Sequence, residues 1–108
     1  RVVVRALTVE PPVITPNGDG LNDQGEIRFS IANVNLARQI DLRVYDLGGR
    51  IVWQENRMSF GDQVFFWDGR DNNGNLVAPG IYLCRVEVDA DSGQASRLAD
   101  QRSIAVAY

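Results

Sequence analysis

The chain has 108 residues, a formal net charge of −3, one cysteine and no histidine. One domain is the expectation at that length, and a hydrophobic content of 44% excludes a disordered tail. No Lys–Arg cluster supplies the concentrated positive charge that a phosphate backbone needs, so nucleic acid is not an expected partner. No apolar run approaches the roughly 20 residues of a bilayer-spanning helix, so membrane insertion is not expected either. The lack of histidine removes Ser/His and Cys/His catalysis and the commonest zinc and copper ligand. A lone Cys84 cannot form an intrachain disulfide. It reads as a small buried hydrophobe in an apolar run, with a reactive thiol as the alternative. The sequence opens at Arg1 without a methionine or a signal peptide, which reads as processing or excision from a larger secreted protein.

In chain order, Arg1 to Glu10 is Val-rich and reads as a first strand ended by Pro11-Pro12. Glu26 to Ala32 alternates, with Ile27, Phe29 and Ile31 on one face and Arg28 and Ser30 on the other. Residues 33–39 hold at most one short turn. Ile40 to Asp46 alternates again, with Ile40, Leu42 and Val44 inward. Leu47-Gly48-Gly49 turns the chain, and Arg50 to Glu55 returns with Ile51 and Trp53 as the inward pair. Gln63 to Trp67 is a further strand, closed by Asp68-Gly69, and Asn72-Asn73-Gly74-Asn75 is a second turn cluster. Ile81 to Asp89 places Tyr82, Cys84, Val86 and Val88 on one face. The polar residues 90–100 turn the chain once more, and Ile104, Val106 and Tyr108 complete a last strand. Short alternating runs between dense turn signals indicate an all-β chain. About seven or eight antiparallel strands must bury their apolar faces against a second sheet, which predicts an immunoglobulin/fibronectin-III-like β-sandwich over residues 1–108.

Trp67 can bury a large apolar area provided its indole N–H finds a partner, and Asp68 can accept backbone N–H groups just downstream. Trp67, Gly69, Pro79, Gly80 and Tyr82 therefore read as structural, with ligand stacking on Trp67 as the alternative. Trp53 is either core or an exposed aromatic. A carbohydrate-binding surface would need Trp53 and Tyr45 exposed on one face.

The stretch Ile14-Thr15-Pro16-Asn17-Gly18-Asp19-Gly20-Leu21-Asn22-Asp23 is rich in oxygen and glycine. A calcium loop of the EF-hand kind uses ligand positions 1, 3, 5, 9 and 12 with glycine at 6. With Thr15 at the first position, Asn17, Asp19, Gly20, Asp23 and Glu26 occupy the others, although Thr15 replaces the usual Asp and Pro16 lies inside the loop. Two readings stay open. One is a calcium site drawing on Asn17, Asp19, Asn22, Asp23 and Glu26. The other is a plain turn whose Asn and Asp side chains bond their own backbone. Asp68, Asp71 and Asn73 form a second, weaker oxygen-rich loop. Asp19 and Asp23 could in principle form an acid–base pair, but they lie in a flexible, polar turn, so no catalytic residue is expected.

Three ordered blocks carry a family resemblance. Val44-Tyr45-Asp46-Leu47-Gly48-Gly49-Arg50-Ile51-Val52 precedes Trp67-Asp68-Gly69-Arg70-Asp71-Asn72-Asn73-Gly74, and Val77-Ala78-Pro79-Gly80-Ile81-Tyr82-Leu83-Cys84-Arg85-Val86 follows. This order resembles the Ig-like domain of flagellar hook-capping (FlgD-type) proteins, a module that recurs at the C-termini of large secreted bacterial proteins. The opening Thr15 to Asp23 resembles the start of C-terminal domains associated with gliding motility and type IX secretion. The resemblance implies a non-catalytic Ig-like module of a secreted or cell-surface protein, acting as a spacer, anchor or docking domain on other protein domains or neighbouring subunits. Two alternatives accompany it. The domain is a C-terminal sorting domain for type IX-like secretion, or it is a self-assembling extracellular subunit. In the latter case Arg1 to Glu10 would complete a neighbour's sheet instead of pairing within its own sandwich.

Overall fold

The computed structural model describes residues 3–32, 36–89 and 98–108. Among these, all regular structure is β: β1 (Val3–Glu10), β2 (Val13–Ile14), β3 (Gly25–Ala32), β4 (Arg38–Tyr45), β5 (Ile51–Ser59), β6 (Gly61–Trp67), β7 (Gly80–Val88) and β8 (Leu98–Val106). They form a three-stranded sheet in the order β1-β3-β6 and a five-stranded sheet in the order β2-β8-β7-β4-β5. Every pairing is antiparallel except the two-residue β2, which runs parallel to β8. The turn expected within residues 33–39 falls partly on residues outside the described ones, and so does most of the turn over 90–100. Strand β8 already begins at Leu98. Tyr108 lies beyond its end, with its hydroxyl donating to the Val77 carbonyl.

The core lies between the sheets. Leu7, Val9, Ile27, Phe29, Ile31, Phe65 and Trp67 come from the smaller sheet, and Ile40, Leu42, Val44, Tyr82, Cys84, Val86, Val88 and Ile104 from the larger. These are the inward positions that alternation predicts, because successive side chains of a strand point to opposite faces. Phe29 stacks on Phe65 at 5.8 Å between ring centroids within the small sheet, and Trp67 meets the Tyr82 ring edge-on across the sandwich at 5.6 Å. Cys84 is fully buried, which settles it as a packing residue.

The structure corrects the expected inward pair Ile51 and Trp53. Trp53 faces Val44 and packs against the core, but Ile51 pairs with Tyr45 and is 42% exposed. A bulge at this point inserts Val52, and one extra residue reverses the faces of all side chains beyond it. It also places Trp53 and Tyr45 on opposite faces, so the shared aromatic face that a carbohydrate site would need does not form. A second bulge, in β1, sets Ala6 and Leu7 against a single residue of β3, with Ala6 at φ 60°. It lets Val4 and then Leu7 and Val9 all turn inward despite their broken alternation. β1 pairs with β3 of its own sandwich.

Strands β5 and β6 belong to different sheets and meet at a corner formed by Phe60. Gln63 holds that corner, its Nε2 donating to Ser59 Oγ at 2.9 Å and to the Phe60 carbonyl at 3.0 Å. Arg57 closes the same side. Its guanidinium lies 3.6 Å from the Phe65 ring centre and donates to the Val64 carbonyl, a cation–π contact combined with a cap on a strand edge.

Candidate functional site

The three sequence blocks that stand apart in the chain converge at one end of the sandwich. The loop of residues 68–77 is central. It starts where Trp67, fully buried, donates its indole N–H to the Arg70 carbonyl at 2.9 Å. Asp68 Oδ1 accepts the Arg70 N–H at 3.2 Å, as the sequence suggested. Asp71 then accepts N–H groups from Asn73 and Asn75, and an isolated bridge joins Arg70 to Leu76. The Val77 N–H returns to the Gly69 carbonyl at 2.9 Å and closes the loop at its base. Tyr82 braces the exit by donating its hydroxyl to the Ala78 carbonyl. Burial raises the Tyr82 pKa, and the neighbouring Tyr108 and Asp46 add to the shift.

On one flank lies the opening loop. Its Thr15 N–H donates to the Asn22 carbonyl at 2.7 Å and ties the two ends together. Asp23 spans the inside, with Oδ1 accepting the Gly18 N–H at 3.0 Å and Oδ2 the Gly20 N–H at 2.7 Å. Asn17 accepts the Asp19 N–H, and Asp19 accepts the Leu21 N–H at 2.8 Å. These are Asx-type turns, in which side-chain oxygens stand in for backbone carbonyls. Asn22 itself sits at φ 55°. Pro16 packs onto Gly69, and Pro16, Gly18, Asp23, Asp68 and Arg70 line a small cavity of about 140 Å³ between the two loops.

The five residues named for calcium therefore divide. Asn17, Asp19 and Asp23 turn oxygens onto backbone N–H groups, Asn22 contributes its carbonyl to the loop closure, and Glu26 stands in β3 paired with Arg28. Among the described residues no group of three or more His, Cys, Asp or Glu side chains is placed to hold a metal ion.

On the other flank is the β4–β5 turn. Asp46 Oδ1 accepts the Arg50 N–H at 3.0 Å, and the Arg50 guanidinium lies 3.4 Å from Asp46 Oδ2. The Arg50 backbone N–H is the largest influence holding the Asp46 carboxyl below its ordinary range; burial, the next largest, opposes it, and the Arg50 charge and the Gly48 N–H add to the lowering. Between this turn and the 68–77 loop lies an open cleft of about 690 Å³, bordered by Arg50, Gln54, Asp71, Asn73, Val77 and Tyr82 among others. Sequence reading singled out most of the loop residues one block at a time. It gave no sign that Pro16 meets Gly69 or that Arg50 and Asn73 border one cleft, because these contacts join segments far apart in the chain.

The family model for the CHU_C type IX secretion signal domain matches residues 8–103. This chain belongs to that family. The type IX signal domain is 30% identical to the C5a peptidase of Streptococcus pyogenes in a match covering 68% of this chain and 8% of the peptidase, so it spans only a small part of the curated relatives it matches. Among solved structures it is similar to dimeric latent PorU of Porphyromonas gingivalis, with a TM-score of 0.74 and 18% identity over 98% of this chain and 9% of PorU. It is also similar to FlgD of Pseudomonas aeruginosa, with a TM-score of 0.58 and 24% identity over 95% of this chain and 72% of FlgD. PorZ, a surface component of the type IX secretion system of P. gingivalis, matches with a TM-score of 0.58 and 22% identity over 95% of this chain and 12% of PorZ. At these identities the structural likeness is one of fold. The hook-capping and gliding resemblances read from the sequence thus meet in one sandwich, and a type IX signal domain is a non-catalytic part of a secreted or cell-surface bacterial protein.

Proposed function

We propose that this domain is the sorting element of its parent protein, recognised in its folded form through the loop end by protein components of the export apparatus. One observation carries the reading. The family match runs over nearly the whole sandwich, and the motif blocks within it, remote in sequence, are assembled into one surface by Pro16 on Gly69 and by the cleft between Arg50 and Asn73. A linear peptide signal would not need that assembly. The domain acts by being bound, and no chemical step is assigned to it.

The test is export of the parent protein, or of a reporter fused to this domain, in a bacterium with a working type IX system. Deleting the domain is expected to leave the parent in the periplasm. Arg50→Gln and Asn73→Lys, exposed substitutions on the cleft, are expected to reduce export while the purified domain melts nearly as before. Normal export of the truncated parent removes the sorting reading. Loss of surface retention alone would instead mark an anchoring module. The calcium expectation at Asn17, Asp19, Asn22, Asp23 and Glu26 rests on the sequence pattern, and an identical melting midpoint in calcium and in EDTA would remove it.

A further inference from the structure

Sheet edges are where folded β-domains are open to one another, because an edge strand carries unpaired N–H and C=O groups. Among the described residues the two sheets have four edges, and three of them are spoiled for pairing. β2 has two residues, β1 is broken by the bulge at Ala6, and β6 has its Val64 carbonyl capped by Arg57. The fourth edge, β5, pairs in unbroken register with β4 from Gln54 to Ser59.

Asn72 sits on that edge. Its Oδ1 accepts the Gln54 N–H at 2.9 Å and its Nδ2 donates to the Gln54 carbonyl at 3.1 Å. One side-chain amide thus makes both bonds that a residue of a neighbouring strand would make. In an antiparallel strand the outward-facing backbone groups belong to alternate residues. If Gln54 faces outward, so do Asn56 and Met58, both exposed, with Met58 at 63%. The 68–77 loop does not need Asn72 for its own shape, since Trp67, Asp71 and the Val77–Gly69 bond already hold it.

The side chains along this edge are self-complementary. A two-fold axis through Asn56 would pair Asn56 with its own copy, Gln54 with Met58 of the copy, and Glu55 with Arg57 of the copy. Each strand would then set a carboxylate against a guanidinium on both sides of the axis, whereas like charges directly opposite would repel. Within one chain Arg57 already binds Glu55 at 2.8 Å, so pairing would extend an existing ion pair into a network without leaving a charge alone. With Gln54 occupied by Asn72, only the central pair is free and both outer pairs are denied.

We propose that the β5 edge is a two-fold pairing surface for a second copy of this chain, held shut by the side chain of Asn72. Releasing Asn72 joins two five-stranded sheets into one continuous sheet across the dimer.

Sedimentation of the purified domain over a wide concentration range tests this. Asn72→Ala is expected to dimerise at least about tenfold more tightly than the parent sequence, since the outer pairs become free. Asn56→Pro removes an outward N–H and no bond to β4, a substitution that edge strands tolerate. The pair Asn72→Ala/Asn56→Pro is expected to return to monomer. Asn72→Asp, which has no N–H to give and sets a carboxylate oxygen against the Gln54 carbonyl, repeats the test should the alanine variant not fold. A released variant that stays monomeric at every concentration overturns the proposal, and so does a dimer that survives Asn56→Pro.

Discussion

Pro16 Cγ lies 3.0 Å from the point that a Cβ on Gly69 would occupy, and Ile14 Cδ1 lies 3.4 Å from it. The loop that opens the domain is therefore seated on the glycine that follows Trp67-Asp68. Gly69 also has φ +76°, a conformation that costs an L-residue. Gly69→Ala is expected to destabilise the domain by roughly 2–4 kcal/mol, combining left-handed strain with overpacking against Pro16. Chemical denaturation of the two proteins measures this, and a loss under about 0.5 kcal/mol would show that the loops are not seated on each other.

Gly25, at the start of β3, faces Ile104 from β8. A Cβ there would stand 2.6 Å from Ile104 Cδ1, so Gly25→Ala is expected to cost about 1–3 kcal/mol by overpacking. Ile104→Val deletes that methyl and alone should cost about 0.5–1.5 kcal/mol. The two changes are expected to be non-additive in the double variant, which should be more stable than the sum of the single losses predicts. Strict additivity in a double-mutant cycle would place the clash elsewhere.

Burial pushes the Cys84 thiol up to about 12 from its ordinary 9.0. A group whose pKa is raised by folding contributes stability in full below its unfolded value and loses it as pH rises toward the folded one. The domain should therefore lose stability as pH climbs from 9 to 12, and Cys84→Val should flatten that loss. At pH 8 the native thiol should resist alkylation until the domain opens, because the thiolate is the nucleophile. Rapid labelling of the folded protein would contradict its burial.

Ala6 adopts φ 60° in the β1 bulge, where only glycine sits without strain. Ala6→Gly is expected to raise stability by roughly 0.5–1 kcal/mol, the left-handed penalty less the extra backbone entropy of glycine. A fall in the denaturation midpoint would show that the bulge relaxes in solution.

Much of the architecture was legible in the alternation of the strands. Ile27, Phe29 and Ile31, then Ile40, Leu42 and Val44, then Tyr82, Cys84, Val86 and Val88 lie inward as their spacing requires. The roles of Trp67 and Asp68 were legible too, because their bonds reach only two or three residues along the chain. Ile51 was not, since a bulge is a property of two paired strands and leaves little trace in either one. The joining of the loop end was hidden for the same reason.

Sequence by itself thus determined the strand content, the inward faces of the regular strands, the positions of the polar turns at residues 15–23 and 68–75 and the family blocks, all of which depend on local spacing and on residue type. Tertiary structure alone decided the division into sheets of three and five strands, the two bulges, the seating of Pro16 on Gly69 and the reach of Asn72 to Gln54. Those depend on which segments meet, and alternation says which way a side chain points without saying what stands opposite it.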